Sequence, residues 1–259
     1  MGLGQDDAGD DVPVERYRAP ALEKGLDIIE ALADRPDGLT ATELAAAIDR
    51  SLGEIFRILQ VLERRGYLSK NPWTDQYRAT SRLLEVGFRA TPAQNIVYAA
   101  GPVMLTLSQT IRQSCHLVLA APGKALVIAQ QDGPTPTNFS VRLGSVLDYL
   151  QSASGLVLLA LSSEERRQRL LQGQVIPDHL RERMAHVAAQ GYEHRASIRT
   201  QGVRDISYPV RDFNNEVICA LTVPYLRLID GSQAVDEDAA RIILGQAASQ
   251  LSMLLGASS

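Results

Sequence analysis

The sequence predicts an α+β protein in two parts: a winged helix-turn-helix, then a larger domain with an antiparallel sheet. Two observations carry this. Residues 39–80, LTATELAAAIDRSLGEIFRILQVLERRGYLSKNPWTDQYRAT, read as a short helix, a turn, a longer helix and a two-stranded wing. Beyond residue 93, apolar helical runs alternate with hairpin strands.

The chain starts with Met1–Val14, rich in Gly and Asp and poor in apolar residues, followed by Arg16 and Arg18. Residues 1–18 therefore predict a disordered acidic tail and arm. Pro20 suits a helix start, and Leu22, Leu26, Ile29 and Leu32 or Ala33 predict its buried stripe. Pro36-Asp37-Gly38 is a turn. Thr40 or Thr42 can cap the helix Glu43–Ile48, and Thr40 with Glu43 has capping-box spacing. Leu44, Ala45 and Ile48 point inward. Ser51 and Glu54 repeat the box and open a second helix running to Arg65. In it Leu52, Ile55, Leu59 and Leu62 predict one buried stripe.

The opposite face of that helix carries Gly53, Arg57, Gln60 and Arg64. Arg and Gln are the side chains that reach guanine and adenine edges in the major groove. Gly53 lets a helix start approach a sugar-phosphate backbone closely. The N-terminal half of such a helix reaches bases, so Arg50, Ser51, Gly53, Glu54 and Arg57 lead the candidates, with Gln60 behind them. Taken alone, the helix also reads as any amphipathic helix with a solvated basic face. The wing decides between them. Gly66 ends the helix, Tyr67–Lys70 and Gln76–Ala79 read as strands, and Asn71–Asp75 reads as the turn. Lys70 and Arg78 stand ready for phosphates, and Thr40 and Thr42 complete the candidate DNA contacts.

Ser81–Ala90 predicts a connecting helix, and Thr91-Pro92 a boundary. Residues 94–113 read as a helix. His116–Ala121 and Ala125–Gln131 read as strands, and Phe139–Leu143 as a short one. Ser152–Leu161, Ser163–Gln172 and Asp178–Gln190 read as helices. Ile206–Arg211 and Glu216–Pro224 form a predicted hairpin, and Asp236–Leu255 a closing helix.

The chain of 259 residues is long enough for two cores. Its formal charge is −4, but residues 50–89 hold eight bases against four acids. A local basic patch still attracts phosphate at short range, because salt screens the remainder beyond about 10 Å. No apolar run approaches the roughly 20 residues that cross a bilayer, and no signal peptide is visible, so no membrane partner is expected. The two cysteines, Cys115 and Cys219, suit a reducing cytoplasm.

The blocks ALEKGLDIIEAL, LTATELAAAI, IFRILQVLERRGYL, SASGLVLLAL, GYEHRASIRTQGVRDISYPVRD and EVICALTVP, in this order, resemble the IclR family of transcription regulators over about residues 19–255. The resemblance implies a winged helix-turn-helix (19–80), a linker helix (81–92) and a C-terminal GAF-like α/β ligand-binding domain (93–259). It implies a cytoplasmic, sequence-specific DNA-binding regulator, either a repressor or an activator. Its implied partners are a double-stranded DNA operator, a small-molecule effector (an organic, aromatic or sugar acid) and further copies of itself in a homodimer or homotetramer. Two departures stand out. The recognition helix opens Ser51-Leu52-Gly53-Glu54, where the family often has a Pro-Lys-Ser-Thr type start. The ligand-domain helix opens Ser152-Ala153-Ser154-Gly155 in place of a Thr-Ala-Gly type run.

A helix start offers free N–H groups and a positive dipole end to a carboxylate. Ser152, Ala153, Ser154 and Gly155 supply one, and the resemblance puts this segment on the effector cavity. It carries over Asp205, Ser207, Asp212, Cys219 and Thr222 as the other wall, with Leu147 and Tyr149 as an apolar lid. Each has a plainer reading: a helix cap for Ser152–Gly155, a turn former for Asp212, core packing for Cys219. His116 reads as a satisfied histidine at a strand start. The four histidines have no metal-ligand spacing, and no phosphate loop or nucleophile elbow appears. No catalytic residue, metal or cofactor is expected. An enzyme fused to a DNA-binding domain is the alternative from another class.

Overall fold

The computed structural model describes residues 19–90, 93–228, 233 and 235–257, in two compact units that divide between Ala90 and Thr91. The expected tail and arm over residues 1–18 and the Thr91-Pro92 boundary lie outside the described residues.

The first unit contains α1 (Pro20–Ala33), β1 (Leu39–Thr40), α2 (Ala41–Ala47), α3 (Leu52–Arg64), β2 (Leu68–Lys70), β3 (Gln76–Ala79) and α4 (Arg82–Ala90). Thr40, rather than Thr42, caps α2: its hydroxyl accepts from Glu43 N–H at 3.3 Å while its own N–H donates to Glu43 Oε2 at 2.8 Å. The turn to α3 places Asp49 at φ 52°, with Arg50 N–H donating to Ala45 O and Asp49 N–H to Ala46 O. That double closure is a Schellman turn. Ile28, Leu32, Leu44, Ile55, Leu59, Leu68 and Tyr77 form the core. The phase of α1 differs from the expected stripe. Gly25, Ile28 and Leu32 face inward, leaving Leu22 and Leu26 mostly exposed. An added Cβ at Gly25 would stand 3.6 Å from Ile58 Cγ2, an ordinary contact distance, so α1 faces α3 along that line. Leu52 departs likewise: Ile55 and Leu59 are buried, but Leu52 stays 44 % exposed at the first turn of α3. The strands run in the order β1-β3-β2, all antiparallel.

The second unit contains α5 (Ala93–Ile111), β4 (Cys115–Ala121), β5 (Lys124–Gln131), β6 (Val146–Leu147), α6 (Ala153–Ala160), α7 (Glu164–Leu171), α8 (Asp178–Gln190), β7 (Glu193–Ala196), β8 (Val203–Arg211), β9 (Val217–Leu226) and α9 (Glu237–Leu254). Its sheet has the order β6-β5-β4-β9-β8-β7, antiparallel throughout. Alternation along the strands feeds two cores. Leu117, Leu221 and Ile206 pack on α5 and α9, while Val118, Ala220 and Val127 pack on α6, α7 and α8. All eight residues of α6 are buried. That suits a helix apolar on every side.

One expectation fails here, and one strand has no counterpart in the sequence reading. Phe139–Leu143 is not a strand. Gly144, at φ 80°, donates to Val127 O, so pairing with β5 begins after it and the strand is Val146–Leu147. The alternation Phe-Ser-Val-Arg-Leu imitated a strand without a ladder partner. β7 was not foreseen, because Glu-His-Arg-Ala reads as polar loop. Glu193 is nonetheless fully buried, with Arg183 Nε donating to its Oε2 at 2.9 Å.

Candidate functional site

The exposed face of α3 is the first candidate. Gly53, Arg57, Gln60 and Arg64 all lie on the surface. The side chains of Arg57 and Gln60 make no hydrogen bond or ion pair among the described residues. An added Cβ at Gly53 would meet nothing within 4 Å, so the protein's own packing does not require glycine there. Glu54 is differently placed from expectation. Its Oε2 accepts from Ser51 N–H at 3.0 Å and from the Ser51 hydroxyl at 2.8 Å, and its Oε1 pairs with Lys24 at 2.7 Å. Lys24 first, then Ser51, pull its carboxyl down to about 2. Both oxygens are thus engaged in tying α1 to the start of α3. Arg50 donates to Asp49 O. On the wing, Lys70 pairs with Asp75 at 2.8 Å, and Arg78 Nε donates to Asp37 O at 2.9 Å. Those bonds fix the hairpin, and both side chains remain on its exposed side.

The second candidate is an open cavity of about 300 Å³ within the second unit. Ligand cavities run from roughly 300 to 1,000 Å³. Ser152, Ala153 and Ser154 bring the start of α6 to it, and Leu147, Asp205 and Thr222 line it as expected. The Ser152 hydroxyl accepts from Gly155 N–H at 3.1 Å. The N–H groups of Ala153 and Ser154 have no partner within the helix. Burial raises the pKa of Asp205 against the pull of Ser197, Arg195 and Arg199.

Five expected residues lie outside the lining. Tyr149 is pinned in the core, donating to Ala121 O at 2.8 Å and accepting from Ala121 N–H at 3.0 Å. Gly155 underlies the wall: a Cβ there would fall 2.3 Å from Tyr149 O. Ser207 sits behind Thr222, their hydroxyl oxygens 2.8 Å apart. Asp212 closes the β8–β9 turn by accepting from Asn214 and Glu216 N–H groups. Cys219 is three residues from Thr222, so it points to the opposite sheet face, against α5 and α9. Burial pushes its thiol far up, and that of Cys115 to about 12.

The cavity adds residues that the sequence did not nominate. Phe139, Val141 and Ile198 extend the apolar wall, and the exposed Arg142 and Arg199 border it. His116 also lines it, at 4 % exposure. The signal for His116 was its register opposite Thr222, visible only once β4 and β9 are known to pair. Among the described residues, no group of three His, Cys, Asp or Glu side chains could hold a metal, and no helix is long and apolar enough to cross a membrane.

The model of the bacterial transcriptional regulator IclR C-terminal region matches residues 88–253, well over half the chain. The chain belongs to the IclR family. The IclR helix-turn-helix model matches residues 21–72, so α2 and α3 are the family's helix pair. The chain is 27 % identical to the HTH-type transcriptional regulator XynR of Escherichia coli over 216 residues, covering 80 % of this chain and 86 % of XynR. It is 25 % identical to the E. coli regulator KdgR over 239 residues, 88 % of this chain and 90 % of KdgR. An IclR homolog from Microbacterium hydrocarbonoxydans, complexed with 4-hydroxybenzoate, shares the fold at a TM-score of 0.78 and 22 % identity, over 92 % of this chain and all of that one. This IclR chain is therefore a DNA-binding transcriptional regulator with a C-terminal effector-binding domain, and not an enzyme.

Proposed function

We propose that this regulator reads its operator with Arg50, Ser51, Gly53, Arg57 and Gln60 of α3 and its turn, supported on the backbone by Thr40, Thr42, Lys70 and Arg78. The observation that carries this is the exposed, unpaired Arg57 and Gln60 beside a glycine that the fold itself does not demand. Residues 19–80 form the reading domain, 81–92 the linker and 93–259 the effector domain. The effector is a small organic acid whose carboxylate meets the Ala153 and Ser154 N–H groups in the cavity. The 4-hydroxybenzoate bound to a homolog of the same fold supports that class. The regulator works in the cytoplasm as a homodimer or homotetramer, so that two copies of α3 meet half-sites about a helical turn or more apart. A gel shift on the DNA upstream of its own gene, at fixed salt, tests the reading face. Arg57→Ala should weaken binding by about 1–3 kcal/mol with an unchanged melting curve. An unaltered footprint would move the reading surface away from α3.

A further inference from the structure

Trp73 is the chain's single tryptophan, and at 90 % it is the most exposed large apolar side chain among the described residues. Its ring makes no hydrogen bond or ring contact to any of them. The backbone holds it out at the tip of the wing. Asn71 N–H donates to Gln76 O at 2.8 Å and Asp75 N–H to Asn71 O at 2.9 Å, while Asn71 Oδ1 accepts from the Trp73 and Thr74 N–H groups. An indole left in water gives the fold none of the stabilisation that burying it would bring.

The charges around the ring are already spent. Residues 71–75 hold one acid, Asp75, and no base. Lys70 behind the turn pairs with Asp75 and lies over the Tyr77 ring, and Arg78 Nε is bound to Asp37 O. The tip therefore offers a flat apolar ring with one N–H, where a phosphate anchor would offer free bases. Its place on the domain is set by the β1–β3 ladder. Thr40 pairs with Gln76, so the turn opens one residue from the start of α2, which the proposed docking puts on the sugar-phosphate backbone. The root of the hairpin, where Thr80 N–H donates to Tyr67 O, lies instead at the C-terminal end of α3.

The minor groove of B-DNA is about 6 Å wide and admits a flat ring edge-on. An A·T pair shows only acceptors there, adenine N3 and thymine O2, whereas a G·C pair adds an amino donor. Indole has a donor and no acceptor. It matches the A·T pair and opposes a second donor at G·C. We infer that Trp73 enters the minor groove beside the major-groove site of α3 and makes the wing selective for A·T pairs. This rests on α2 and α3 docking on duplex as proposed.

With one tryptophan in the chain, its emission reports the wing tip alone. The full chain is titrated with duplex from upstream of its own gene at fixed salt, and acrylamide quenching of the indole should largely disappear in the complex. In gel shifts, Trp73→Ala should weaken binding roughly tenfold with an unchanged melting curve. A duplex with 2,6-diaminopurine in place of adenine gains an amino group in the minor groove and keeps its major-groove edge. The wild type should lose roughly tenfold more on that exchange than Trp73→Ala or Trp73→Phe, neither of which has the N–H. An indole as open to acrylamide in the complex as in the free protein, or equal losses on the diaminopurine duplex in all three proteins, overturns the wing reading and leaves α3 standing. Protection that appears with rising protein concentration and no DNA assigns the ring to a second copy and overturns it too. Failure of the wild type to shift any duplex overturns the docking reading along with this one.

Discussion

Asp49 shows how one residue sets the geometry of the reading head. It holds φ 52° in the turn that aims α3. A left-handed conformation costs L-residues about 1–2 kcal/mol, and Asp is among the few that adopt it readily. Asp49→Val should therefore lower the unfolding free energy by about that much, seen as a lower urea midpoint, while Asp49→Gly should leave the midpoint level or raise it. Equal midpoints for the two variants would mean the turn relaxes freely. His116 makes a second residue-scale argument. Burial depresses its pKa from 6.5 to about 4. Between those values the unfolded chain binds a proton that the folded chain refuses, so stability present above pH 6.5 is lost as the pH falls towards 4. By pH 5 the loss from this group amounts to ~2 kcal/mol. Unfolding curves of the wild type and His116→Gln, compared at pH 7 and pH 5, should show the smaller loss in the variant. Parallel losses would place the imidazole in water.

At the scale of the element, α6 depends on a close approach. A Cβ on Gly155 would lie 2.3 Å from Tyr149 O and 2.5 Å from Tyr149 Cα, both backbone atoms that cannot swing aside. Gly155→Ala must push the first turn of α6 off that segment, at a cost of about 1–3 kcal/mol. Because the same turn carries Ala153 and Ser154, acid binding should fall along with the melting temperature. A variant that melts lower but binds benzoate or 4-hydroxybenzoate unchanged would separate the wall from its support. How much was legible in the sequence follows from the same elements. Capping boxes and apolar spacing placed α2 and α3 within a residue or two, because these signals are local. The phase of α1 was not legible, since its inward line runs through Gly25, which carries no hydropathy signal. β7 was hidden by a buried Glu193 whose partner Arg183 lies on another element. The cavity was legible where one helix start builds it, at Ser152–Ser154. It was illegible where strands distant in sequence bring His116 and Thr222 side by side, and where an irregular loop supplies Phe139 and Arg142. For Cys219 and Asp212 the plainer readings, core packing and a turn former, match the structure.

At the scale of the whole molecule, if operator and acid bind separate units of one chain as proposed, their effects on each other must be reciprocal. If an acid in the cavity changes the operator Kd by some factor, operator DNA must change the Kd of that acid by the same factor. Such couplings typically run to roughly 5–150-fold. Titrating the acid into the free protein and into the operator complex, at one salt concentration, should give two dissociation constants whose ratio equals the shift in operator affinity. Salt must be held fixed because basic side chains that bind phosphate release counterions, and this changes operator affinity without any acid. Ser154→Trp provides the control. Ser154 is a buried wall residue, and an indole there fills the site. That variant should bind operator like the wild type and lose both halves of the coupling together. An acid that shifts operator affinity equally in wild type and Ser154→Trp acts elsewhere, for instance by competing with phosphate on the basic face of α3. A factor found in one direction and not the other breaks the two-site scheme itself.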